Sequence, residues 1–173
     1  HVLGKNGITL WKKANGIDTS PVEPYSERKS IGSERTFERD TTDLQAMNAL
    51  LVSMVEKLAF QLRQESKLTS CVTVKIRYSN YDTHTLQKRI AYSAFDHHLI
   101  ATARELFRKL YTRRMLIRLL GVRFSHLVHG TQQLNMFEDT YEMVSLYQSM
   151  DAIRQRYGSR AIGRAAGYKR IPR

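Results

Sequence analysis

The side chains most suited to chemistry stand in Arg28 to Phe37, Arg-Lys-Ser-Ile-Gly-Ser-Glu-Arg-Thr-Phe. Guanidinium, ammonium and hydroxyl groups, with the backbone amide that Gly32 leaves uncovered, are the groups that hold phosphate oxygens. On a strand they would divide by parity, Lys29, Ile31, Ser33 and Arg35 on one face and Ser30, Gly32, Glu34 and Thr36 on the other. The competing reading is an edge strand charged against aggregation. A second stretch, Gln133-Leu134-Asn135-Met136-Phe137, pairs an amide able to bond a partner's backbone with three apolar side chains that fit a cleft. It is either a docking peptide or a latch onto the chain's own surface. Acid-base and metal chemistry finds little support. Asp40 and Asp43 flank a helix start, Glu138-Asp139 lie near the end, and His97-His98 is the only adjacent His pair, without a partner at metal-binding spacing. No Gly-rich phosphate loop or nucleophile elbow occurs.

Charge points to the same class of partner. Of 173 residues, 28 are Lys or Arg and 16 Asp or Glu, a net charge of +12. An acidic partner follows, nucleic acid before membrane surface. The excess is uneven: residues 1–27 are neutral, 28–128 carry +9 and 129–173 carry +3. The binding surface is therefore expected in the middle. No apolar run reaches membrane-spanning length. One cysteine, Cys71, excludes an internal disulfide and suits a reducing, cytoplasmic setting.

The elements that must position these groups follow from periodicity. A short helix is predicted from Asn6 to Ala14, stopped by Asn15-Gly16, with Trp11 as packing, and Pro21 and Pro24 mark a tether over 17–27. After the first strand, Asp43 caps a long amphipathic helix in which Leu44, Met47, Leu51, Met54, Val55, Leu58 and Leu62 recur to about Gln64. Ser70 to Tyr78 alternates, Val72, Val74, Ile76 and Tyr78 inward and Cys71, Thr73, Lys75 and Arg77 outward. Asn80-Tyr81-Asp82 turns into a strand over Thr83 to Ser93, with Leu86, Ile90 and Tyr92 inward and Thr85, Gln87 and Arg89 outward. A second amphipathic helix, His97 to about Thr112 with Asp96 as cap, precedes the strand Leu116 to Val128, where Gly121 suggests a bulge or close backbone approach. A third helix is expected from Thr140 to about Tyr157, carrying Tyr147, Met150 and Ile153 on one side, then a basic segment through Arg160, Arg164, Lys169 and Arg170.

The class is α+β, with order β-α-β-β-α-β, two helices on one face of a four-stranded sheet, a short N-terminal helix and a helical tail. The uncovered face would collect Ser33, Arg35, Thr73, Lys75, Arg77, Arg89, Arg118, Arg123 and Ser125. Such a face, poor in aromatics, suits phosphates better than base stacking. An RNA-recognition module of ferredoxin-like topology would need outward aromatics on its central strands. A protein-contact module is the other alternative.

Three segments carry a resemblance. Arg28 to Phe37 resembles the first strand of the little finger domain of Y-family translesion DNA polymerases, Ile117-Arg118-Leu119-Leu120-Gly121-Val122-Arg123-Phe124-Ser125 resembles its last strand, and Leu3 to Trp11 with Ala14 to Asp18 resembles the end of the thumb. The resemblance implies thumb over 1–16, linker over 17–27, little finger over 28–128 and tail over 129–173. It also implies that a chain opening at His1 is a fragment. Thumb contacts to DNA would involve Gly4, Lys5 and Gly7. By position, Ser30, Gly32, Ser33, Arg35, Thr36, Arg118 and Arg123 would meet the backbone of primer-template DNA, while Leu119 stands where some members have a second Arg. Gln133, Leu134, Met136 and Phe137 would bind the bacterial sliding clamp. Polymerase chemistry, with its Mg2+ and carboxylates, would belong to the palm domain of a longer parent, leaving this fragment without cofactor or catalysis of its own. Sequence-tolerant duplex binding at about 10⁻⁴ to 10⁻⁶ M is expected.

Overall fold

In the structure, a computed structural model, residues 3–130, 141–159 and 161–167 are described. Helix α1 (Gly4–Ala14) precedes strand β1 (Ser30–Thr41), helix α2 (Leu44–Gln64), strands β2 (Lys67–Tyr78) and β3 (Thr83–Ser93), helix α3 (Asp96–Leu110), strand β4 (Ile117–His129), helix α4 (Tyr141–Tyr157) and a 3-10 turn over Ala165–Gly167. The expected α+β order thus holds. The sheet runs β1-β4-β2-β3 with every pairing antiparallel. Two interlocked crossovers result. Helix α2 joins β1 to β2 across the intervening β4, and α3 joins β3 to β4 across the intervening β2. Long-range closure of this kind fixes the faces of all four strands at once.

The core lies between the sheet and α2 and α3. Val72, Val74, Ile76 and Tyr78 of β2, with Ile117, Leu120, Val122 and Phe124 of β4, meet Met47, Leu51, Val55, Leu58 and Leu62 of α2 and Leu99, Ala103, Leu106 and Phe107 of α3. Each fully buried aliphatic side chain contributes on the order of 1.5–3 kcal/mol. Helix α2 begins where Asp43 accepts hydrogen bonds from the amides of Gln45 (2.9 Å) and Ala46 (3.1 Å). Asp43→Ala is expected to lower stability by about 1 kcal/mol, read by chemical denaturation. The helix ends at Gln64, and two residues on Ser66, with positive φ, turns the chain into β2.

Several expectations change. Asp96 is not the cap of α3, because Phe95 holds that position and Asp96, fully buried, opens the first turn. Its carboxylate is drawn inward by Arg63 at 2.7 Å. Trp11 is 64% exposed, and α1 buries none of its residues. Tyr92 is half exposed because the β2–β3 register shifts between Thr69 and Cys71 and interrupts the inward alternation.

The tail has a definite seat. Tyr147 and Arg154 of α4 are both almost fully buried against α2 and the start of α3, whereas Ile153 is partly exposed. Arg63 reaches Asp151 with two bonds, 2.6 and 2.9 Å, and the Ala94 carbonyl at 2.7 Å. Burial acts to lower the pKa of Arg63, but the hydrogen bonds and charges of Asp151 and Asp96 outweigh it and raise it. The Tyr147 hydroxyl accepts from Arg164 at 2.9 Å and from the His97 amide at 3.3 Å, and the Arg164 amide donates to Glu56 at 3.0 Å. Burial pushes the Glu56 carboxyl up, against the Arg164 hydrogen bond, and the Asp96 charge adds to the rise. An acid with a raised folded pKa contributes stability that is complete below its ordinary value and lost as pH climbs through the folded one. Glu56→Gln, which keeps an acceptor for Arg164, is therefore expected to gain in melting temperature relative to the parent as pH rises from about 4 to 7.

Candidate nucleic-acid interface

The antiparallel registers place sixteen residues of the uncovered face in four rows. The first is Ser30, Ser125, Cys71 and Arg89; the second Gly32, Arg123, Thr73 and Gln87. The third is Glu34, Gly121, Lys75 and Thr85, and the fourth Thr36, Leu119, Arg77 and Thr83. Directly paired residues share a face, so these rows stand opposite the buried rows Ile31-Phe124-Val72, Ser33-Val122-Val74 and Arg35-Leu120-Ile76.

That parity separates residues that charge alone would group. Thr73, Lys75, Arg77, Arg89, Arg123 and Ser125 lie on the open face, joined by Ser30, Gly32 and Thr36. Ser33 and Arg35 do not. They share the parity of Ile31, which is 5% exposed in the core, and so sit on the helix side of the edge strand, beside α2 in a cleft with Lys57 and Ser53. The alternation within β1 is as expected, but charge is no guide to which of its two faces is open, and the core position of Ile31 decides it. Arg118 belongs to neither ladder: β4 pairs Leu119 with Arg77 and Ile117 with Tyr78, so the bulge falls at Arg118 and not at Gly121. Its guanidinium lies 3.8 Å from Asp40 and 4.9 Å from the Tyr81 ring centroid, at the end of the sheet.

Two glycines shape the face. At Gly121 an added Cβ would stand 2.8 Å from Glu34 Cγ. The missing side chain lets Glu34 lean over β4 and grip Lys75 with both oxygens, at 3.0 and 3.1 Å. At Gly32 an added Cβ would come within 3.2 Å of the Val122 carbonyl and 3.4 Å of Arg123. That bare position leaves Arg123 free to cross β1 and donate to Ser30 Oγ at 2.7 Å. Arg77 donates to Thr83 Oγ1 at 2.8 Å. Hydroxyl partners hold both arginines in place without cancelling their charge. Glu34 is the sole carboxylate among four cations in the rows, and its engagement of Lys75, 41 positions along the chain, has no local signature in the sequence.

No Phe, Tyr, Trp or His occupies the sixteen positions. The face can donate charge-assisted hydrogen bonds to anionic oxygens and offers no ring on which a base could stack. Among the described residues, no group of three His, Cys, Asp or Glu side chains is placed to hold a metal. Cys71 is a buried free thiol, and no described helix is long and apolar enough to cross a membrane. Gln133, Leu134, Met136 and Phe137 lie outside the described residues.

Comparisons with known proteins bear on this surface. Residues 28–136 match the model of the impB/mucB/samB family C-terminal domain. The chain is 35% identical over 169 residues to DNA polymerase IV of Dehalococcoides mccartyi, covering 96% of this chain and 43% of that protein. It is 33% identical over 165 residues to DNA polymerase IV of Clostridium acetobutylicum, covering 92% and 41%. The chain therefore spans about two fifths of the length of these relatives. A solved complex of a beta-clamp processivity factor and the little finger domain of PolIV aligns with a TM-score of 0.48 and 19% identity, over 64% of this chain and 99% of that one. With the family model matched over more than half of this chain, the chain belongs to the impB/mucB/samB family by its C-terminal domain, in agreement with the resemblance to the little finger of Y-family DNA polymerases.

Proposed function

We propose that this chain holds duplex DNA through the sugar-phosphate backbone, as the little finger of a translesion polymerase that also engages a sliding clamp. The observation that carries the reading is the open sheet face, where Arg77, Arg89, Arg123 and Lys75 stand among hydroxyls with one carboxylate and no ring. Contacts of this kind fix register and orientation without reading sequence. Template-directed synthesis past lesions, with Mg2+ held by palm carboxylates, belongs in this proposal to the longer protein. Residues 1–16 would end its thumb, 17–27 would be the linker, and Gln133, Leu134, Met136 and Phe137 would reach the clamp.

Titration of labelled primer-template DNA across a salt series tests the reading. Sequence-independent affinity that falls by about 0.9 in log units per neutralised phosphate for each unit of log salt supports it. Preference for single-stranded RNA would favour an RNA-binding module instead. Clamp recruitment is tested separately by pull-down, where Gln133→Ala and Phe137→Ala are each expected to lose the clamp while leaving DNA affinity intact.

A further inference from the structure

Beyond the duplex face, we propose that the corner formed by the β2–β3 turn and the segment entering β4 binds single-stranded nucleic acid, with Tyr81 as the stacking platform for an unpaired base. This proposal rests on the sheet face holding a duplex, and it assigns the strand that leaves that duplex to a separate site.

The turn is built to present its aromatic. Tyr81 has φ +70, a left-handed conformation that L side chains rarely adopt, and the residue is 63% exposed. Such backbone outliers persist where surrounding bonds over-determine them. Here the Tyr81 amide donates to the Tyr78 carbonyl at 3.0 Å, the Tyr78 amide to the Asp82 carbonyl at 2.9 Å, and Asn80 and Asp82 bond each other twice. An exposed ring held this rigidly loses little entropy when a base stacks on it.

One cation packs on that ring and others stand on the neighbouring turn, strand end and segment. The Arg118 guanidinium lies 4.9 Å from its centroid, Arg77 closes the adjacent row of the sheet, and Arg113 stands 3.6 Å from Asp82. Exposed Arg114 has no carboxylate partner among the described residues. Arg118 and Arg113 thus lie beside Asp40 and Asp82, and Arg77 and Arg114, at the end of β2 and on the segment entering β4, add two further positive charges to this end of the sheet. Aromatic platforms interleaved with Arg are the usual means of holding single strands, because every base has a π face.

Stiffness separates the two surfaces. Duplex DNA has a persistence length of about 150 bp and cannot bend sharply from the open face onto the turn at the end of the sheet, whereas a single strand can. The sheet rows lack rings and suit paired bases whose faces are already covered. The corner supplies the ring that unpaired bases need.

Fluorescence anisotropy on the whole chain tests this with a blunt duplex, the same duplex carrying about ten unpaired thymidines at its 5′ or its 3′ end, and the free thymidine strand. Expected is tighter binding of one extended duplex than of the blunt one. Tyr81→Ala should remove at least about fivefold of that gain, with blunt binding unchanged. Tyr81→Asn, which suits the left-handed backbone, should do the same and guards against a broken turn. Arg113→Ala with Arg114→Ala should lower the salt slope for the extended duplex by up to about 0.7 for each phosphate no longer neutralised. Equal affinity for blunt and both extended duplexes overturns the proposal, as does an equal loss on all duplexes in the Tyr81 variants. Failure to bind blunt duplex would count against the sheet-face reading alone, since free-strand binding that depends on Tyr81 would still report the corner.

Discussion

Replacing Arg77, Arg89 and Arg123 together by alanine is expected to weaken duplex DNA binding on the order of a hundredfold, and to flatten its salt dependence by up to about 0.9 per arginine. Each of the three stands in a different row of the open face, without a carboxylate partner among the described residues. Their charge is therefore available to phosphate, unlike that of Lys75, which Glu34 already engages at 3.0 Å. Arg35→Ala should cost much less, because Arg35 shares its parity with the buried Ile31 and faces the helix layer. Anisotropy titrations at several salt concentrations separate these cases. Equal losses for Arg35→Ala and Arg123→Ala would mean that the bound polymer lies along the edge of β1 and not across the sheet.

The second large effect concerns stability. Asp96→Ala is expected to destabilise the protein by about 3–5 kcal/mol, because it leaves Arg63 and Arg154 buried without the carboxylate between them. Asp96 is fully buried, 2.7 Å from Arg63, and 3.9 Å from Arg154 Nη1. For a chain of this size the loss corresponds to a fall of roughly 6–20 °C in melting temperature, measured by calorimetry or circular dichroism. Arg63→Met should be comparably costly, since it leaves Asp96 fully buried with only Arg154 beside it, at 3.9 Å, and removes the donor to Asp151 and the Ala94 carbonyl. The exposed pair Lys88–Glu105 provides the contrast. Hydrogen bonds from Lys109 and Lys88 hold the Glu105 carboxyl down at about 2, yet this pair faces solvent, and Lys88→Ala should leave stability nearly unchanged.

The sequence by itself determined the elements and their order, since local periodicity reports which residues must be buried. The alternation of Val72, Val74, Ile76 and Tyr78 defines the face of β2, and the stripe from Met47 to Leu62 defines α2; all of them are buried together. Composition also determined the sign of the chain's own charge, because net charge survives any fold. Tertiary structure alone decided which cations meet. Register between strands distant in sequence put Gly121 between Glu34 and Lys75, and Gly32 beside Arg123, and no local signal announces either pairing. It also moved Ser33 and Arg35 to the helix side, because the face of an edge strand is fixed by which of its residues reaches the core. In the sequence Asp96 reads as a helix cap, and Arg63, Asp151 and Arg154 carry no signal that sets them apart from other helix charges. Only the packing of α4 against α2 and α3 takes them out of water, and there the cost of an unpaired charge turns scattered polar positions into a single network.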